Sequence, residues 1–121
     1  MMDGVRGYLN MTNIKRGTTP TIRVRLDGIK PEDVRSVEFL FKPVITDAGH
    51  VLLHKKYPGN VTYDDTEELW LLPLTQNDTR RLPKFKRVYM DTRITFLDGA
   101  IPATNIVDLS VKETLFGGDS A

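Results

Sequence analysis

The chain has 121 residues, with 17 Lys and Arg against 16 Asp and Glu and a formal net charge of +1. That length is one domain able to bury a core without staples, and so even a balance argues against a dedicated nucleic-acid binder. There is no cysteine, which excludes a disulfide framework and a thiolate metal site and fits assembly in a reducing cytoplasm.

Residues 1–14 show no clear periodicity and read as an N-terminal arm. Met1–Gly7 lacks the apolar core of a signal peptide. No stretch approaches the roughly 18 apolar residues of a membrane helix. The Asn-x-Thr sequons at Asn10, Asn60 and Asn77 are therefore read as chance matches.

The first clear strand covers residues 19–26, with Ile22, Val24 and Leu26 on one face and Thr21, Arg23 and Arg25 on the other. Pro20 has no N–H to give a ladder and suits the strand's start. Asp27-Gly28 turns the chain, and Pro31 suits the first position of a helical turn. Residues 35–42 form the next strand, with Val37, Phe39 and Phe41 on its apolar face. Asp47-Ala48-Gly49 marks a hairpin into residues 50–57, and Pro58-Gly59-Asn60 a second turn.

Val61-Thr62-Tyr63 reads as a short strand. Leu69–Leu72 is a continuous apolar run, expected as a strand covered on both sides. Thr75-Gln76-Asn77-Asp78 has the spacing of a capping box and predicts a short helix over 76–82, stopped by Pro83. From 85 to 97 the residues alternate again, placing Val88, Met90, Thr92, Ile94 and Phe96 together. Asp98-Gly99 predicts a hairpin turn, and the return strand over 103–113 points Val107, Leu109 and Val111 inward. Leu115 and Phe116 are expected to close the core, and residues 117–121 to fray. Many short alternating strands with regular turns and one helix predict an all-β antiparallel sandwich over residues 15–116.

Charge is unevenly spread. Asp64, Asp65, Glu67 and Glu68 form one block, and Arg80, Arg81, Lys84, Lys86 and Arg87 form another soon after. These nine residues are the candidate assembly contacts, since adjacent blocks of opposite sign are either a solvated surface or a docking device. The acidic block lacks the spaced oxygen ligands and turn glycine of a calcium loop. His50 and His54, on one face of a strand, stand about 13 Å apart and cannot share an ion. No metal and no cofactor is expected. Catalysis has little to build on: there is no Gly-x-Ser-x-Gly elbow, no cysteine nucleophile and no His-Glu-x-x-His motif. The residues thus predict a non-enzyme. Trp70, Tyr57, Tyr63 and Tyr89 are expected in the core or at its rim, each polar tip with a partner.

Two phrases stand out together: Arg16-Gly17-Thr18-Thr19-Pro20-Thr21-Ile22, and Leu72-Pro73-Leu74-Thr75-Gln76-Asn77-Asp78-Thr79. With the long hairpin at Asp98-Gly99, the pairing resembles small conserved structural proteins of Firmicutes bacteriophages and prophages. The resemblance runs over residues 14–115; Lys42–Lys56 and Lys84–Arg87 depart from it, and residues 1–10 lie outside it. A weaker, fold-level likeness is to the N-terminal immunoglobulin-like domain of upper baseplate proteins in lactococcal-type phages. It implies an immunoglobulin-like sandwich in a tail or baseplate component. Such a protein would be assembled in the bacterial cytoplasm, carried in the virion, and bound to other virion subunits and to copies of itself. A carbohydrate- or host-surface-binding module is the alternative, and a nucleic-acid-binding phage protein, resting on the basic block, a third.

Overall fold

The computed structural model describes residues 4–43, 51–83 and 86–113. The strands are β1 (Gly7–Leu9), β2 (Asn13–Lys15), β3 (Thr21–Leu26), β4 (Val34–Lys42), β5 (Leu53–Tyr57), β6 (Thr62–Asp64), β7 (Leu69–Pro73), β8 (Arg87–Phe96) and β9 (Val107–Lys112). One short helix, α1 (Gln76–Arg80), and a 3-10 turn at Pro31–Asp33 complete the regular structure. The strands form two sheets, ordered β1-β3-β7-β6 and β2-β9-β8-β4-β5. These are the A-B-E-D and G-F-C orders of the immunoglobulin fold, with β5 added beside C and β2 beside G. All pairings between named strands are antiparallel except β2 with β9. The fold is the antiparallel immunoglobulin-like sandwich that the alternating strands and the resemblance predict.

The two-residue period of the strands builds the core directly, because every second side chain faces the opposite sheet. Ile22, Val24 and Leu26 of β3 share one core with Val37, Phe39 and Phe41 of β4 and, from the same sheet as β4, Val88, Met90, Ile94, Leu109 and Val111. Trp70, Phe39 and Phe41 are the largest fully buried side chains. Each such side chain contributes about 1.5–3 kcal/mol of burial.

Several expectations change. Much of the stretch expected as an arm lies in the sheets. β1 pairs with β3 (Gly7 opposite Leu26), β2 pairs with β9, and Ile14 is 1% exposed. Strands of three residues are too short to show a period, so burial of Ile14 rather than alternation places β2. The run Leu69–Leu72 is not covered on both sides: Trp70 and Leu72 face the core, while Leu69 and Leu71 are half-buried on the outer face. The return strand begins at Val107 rather than 103, because residues 100–106 leave the ladder. Thr104 instead donates its hydroxyl to the Thr92 carbonyl (2.6 Å) and bridges Val5. α1 ends at Arg80, two residues early. The turn at Asp47-Ala48-Gly49, His50, Lys84, Phe85, and the closing residues Leu115 and Phe116 lie outside the described residues.

Candidate functional site

The sandwich has two ends, and the two charged blocks fall on opposite ones. β7 starts at the acidic turn and finishes at the helix that opens the basic block. Its five residues separate the blocks by about 17 Å at roughly 3.3 Å per residue.

The basic end is built around the turn at residues 16–19 and α1. Gly17 has φ 78°, a left-handed conformation that glycine takes without strain. The turn is further closed by the Thr18 hydroxyl, which donates to the Lys15 carbonyl (2.6 Å). α1 begins with a complete capping box: Asp78 N–H donates to Thr75 Oγ1 (3.0 Å), and Thr75 N–H donates to Asp78 Oδ2 (2.8 Å). The helix then docks on the turn. Gln76 Nε2 donates to the Gly17 carbonyl (3.1 Å), Thr79 Oγ1 to the Thr18 carbonyl (2.8 Å), and Leu74 N–H to the Pro20 carbonyl (2.9 Å). The Arg16 guanidinium donates to the Arg80 carbonyl (2.7 Å), one of the carbonyls that a helix end leaves without a partner, and to Glu113 (3.1 Å). The two phrases that carry the resemblance are therefore one physical unit.

Beneath that unit Lys55, 8% exposed, reaches from β5 to Asp78 Oδ2 at 2.8 Å. Burial raises the Asp78 pKa, but the hydrogen bonds from Lys55 and Thr75 and the lysine charge outweigh it and hold the carboxyl below its ordinary value. The sequence gives no hint of Lys55's role, because its neighbours Lys56 and His54 make β5 read as an ordinary polar strand.

The predicted basic cluster divides. Arg87 forms an ion pair with Asp108; Arg80 is half-buried under the docked turn; Arg81 and Lys86 are exposed. Lys84 is outside the described residues.

At the opposite end the acidic residues sit on the turn between β6 and β7. Asp64 Oδ1 accepts from the backbone N–H groups of Thr66 (3.0 Å) and Glu67 (3.2 Å), which folds the turn and uses that oxygen internally. Asp65, Glu67 and Glu68 are exposed. Beside them residues 25–30 form a shallow cleft of about 100 Å³ with Tyr63 and Glu68. Burial first, then the charges of Glu68, Asp65, Glu32 and Asp64, raise the Tyr63 pKa. The hairpin tip after β8 stands at the same end, since Val34 is opposite Phe96 and Leu97 N–H donates to the Asp33 carbonyl (3.3 Å). It exposes Leu97 at 59% and Ile101 at 58%. Neither stands out in the sequence: Leu97 ends an alternating run, and Ile101 falls between the Asp98-Gly99 turn and the expected return strand.

Among the described residues, no three His, Cys, Asp or Glu side chains cluster to hold a metal. His54 instead pairs with Glu38 (2.9 Å), which also accepts from Arg93 (3.2 Å). Burial works against the ionised Glu38, yet these two partners hold its pKa below the ordinary value. Trp70 is fully buried and meets Tyr57 and Tyr63 edge-on, with ring centroids 5.0 and 4.8 Å away. Contrary to expectation its Nε1 finds no hydrogen-bond partner among the described residues. No helix among the described residues is long and apolar enough to cross a membrane.

No family model matches the chain, and no curated protein does. Among solved structures it is similar to a polysaccharide deacetylase from Bacillus cereus, with a TM-score of 0.53 and 9% identity over 87% of this chain. The match spans 30% of that protein's chain, and at such identity it shows the fold alone. The sixth cohesin of Acetivibrio cellulolyticus scaffoldin B, solved in complex with a mutant dockerin, aligns with a TM-score of 0.38 and 10% identity, over 93% of this chain and 100% of that one.

Proposed function

We propose that the chain is a bacteriophage or prophage virion structural protein, a tail or baseplate component that works by protein–protein assembly and is not an enzyme. The observation that carries this reading is the docking of Gln76 and Thr79 on Gly17 and Thr18. The two phrases that resemble those of phage structural proteins, far apart in sequence, meet in space and build one end of the domain. The phrases flank the paired ends of β3 and β7, Thr21 opposite Pro73, and their contact supports reading them as one motif of a shared fold. The protein acts through its ends and edges, as part of the virion, after assembly in the bacterial cytoplasm.

The two alternatives find less support. A sugar platform needs an exposed aromatic face, and Trp70 presents none. A phosphate grip needs several free cations, and Arg87 is already neutralised by Asp108. The deciding experiment is mass spectrometry of gradient-purified particles from an induced lysogen that encodes this chain. Stoichiometric recovery with the particles is expected; recovery only in the particle-free lysate overturns the proposal.

A further inference from the structure

Both ends of the sandwich combine charge with exposed apolar surface, and they are complementary to each other. The acidic end carries Asp65, Glu67 and Glu68, and at the same end stands the apolar tip of Leu97 and Ile101, where the Arg35 guanidinium donates to the Leu97 carbonyl (2.9 Å). The basic end carries Arg81 and Lys86, with Val51 exposed at 41% next to the end of β4, where Leu52 N–H donates to the Phe41 carbonyl (2.7 Å). The ends stand about 17 Å apart along β7, beyond the Debye length of about 8 Å at physiological salt. They cannot neutralise one another within a copy. The chain is nonetheless close to neutral as a whole, at +1, so two copies are not kept apart by net charge.

We infer that this chain associates with itself head to tail, the acidic end and apolar tip of one copy seated on the basic end of the next. This rests on the assembly reading above and names the partner. Because the two surfaces differ, the contact is heterologous: repeated, it closes into a ring or extends as a filament, and it does not stop at a two-fold dimer. Charge supplies orientation and encounter rate, while Leu97, Ile101 and Val51 supply apolar area that is released from water.

The test uses the full chain, sedimentation velocity, and two charge-reversed variants whose folding is checked by Trp70 emission. One variant is Asp65→Lys with Glu67→Lys and Glu68→Lys; the other is Arg81→Glu with Lys86→Glu. The unaltered chain is expected to associate with rising concentration, at least about tenfold more weakly at about 500 mM than at about 50 mM salt. Each variant alone is expected to remain monomeric, and an equimolar mixture of the two to associate, since one now has two basic ends and the other two acidic ends. A third variant, Leu97→Ser with Ile101→Ser, is expected to weaken association without changing its salt dependence. A chain that stays monomeric at low salt, a discrete dimer unaffected by either reversal, or a mixture that fails to recover each overturns the inference. Such a result leaves the virion proposal standing if the protein is found in purified particles, so the two readings fail separately.

Discussion

The Thr79 hydroxyl donates to the Thr18 carbonyl at 2.8 Å, across 61 positions of sequence, and Thr79 is fully buried. The same hydroxyl lies 3.2 Å from the Gln76 carbonyl, but its single proton serves the shorter contact better. Thr79→Val keeps the shape and removes the donor. It is expected to cost about 1–2 kcal/mol, because the Thr18 carbonyl is left without that partner under the helix. Urea unfolding followed by Trp70 emission measures it, with the slope unchanged and the midpoint lowered. Thr79→Ser, which retains the donor, should lose less.

The pair Lys55–Asp78 makes stability depend on pH. The Asp78 pKa is lowered in the folded state. Its contribution is therefore complete above the ordinary carboxylate range and is lost as pH falls toward the depressed folded value. Glu38 shifts in the same direction and adds to the acid loss. Asp78→Asn should flatten that acid dependence. It should also destabilise the protein at neutral pH by about 3 kcal/mol, since it strands the buried Lys55 charge and weakens the cap. Lys55→Met in the same background should recover part of the loss; thermal unfolding of the single and double variants from neutral to acid pH checks both.

Much of the architecture was legible because the sandwich obeys a period of two. Ile22, Val24, Leu26, Val37, Phe39, Phe41, Val88, Met90 and Ile94 all alternate and all face the core. The capping box at Thr75–Asp78 was equally readable, its chemistry being local. What escaped was non-local or short. β1 and β2 are three residues each, too short to show a period, and β2 pairs with β9 at the far end of the chain. The meeting of Arg16 with Arg80 and Glu113 depends on tertiary geometry that no spacing encodes. The acidic and basic blocks were visible, but their separation to opposite ends follows from β7 running between them. That Arg87 is spent on Asp108 follows from the pairing of β8 with β9.

Trp70 packs between Tyr57 and Tyr63 with no exposure. Native emission is expected to be blue-shifted and insensitive to aqueous quenchers, turning red only on unfolding. Trp70→Ala should cost about 3–5 kcal/mol through the cavity it leaves, and Trp70→Phe much less. Emission at the wavelength of free tryptophan in the native protein contradicts the placement.

Asn105 adds a side-chain clamp to the pairing that holds β1 on β3. Its Oδ1 accepts from Gly7 N–H (2.7 Å) and its Nδ2 donates to the Gly7 carbonyl (3.1 Å), so one side chain satisfies both backbone groups of a residue 98 positions away. Val5 N–H adds a bond to the Ala103 carbonyl (2.8 Å). β1 covers the open edge of β3, and an uncovered edge strand is a template for pairing with other chains. Asn105→Ala removes both side-chain bonds. It is expected to raise amide exchange at Gly7 by about tenfold or more, given about 1.5–3 kcal/mol for two partly buried bonds. β3, held on its other side by β7 through pairs such as Ile22 with Leu72, should keep its protection. Hydrogen exchange read residue by residue separates this local release from global unfolding. If β3 and β7 lose protection together with β1, the three form one cooperative unit, and the first residues are part of the core fold rather than a releasable edge.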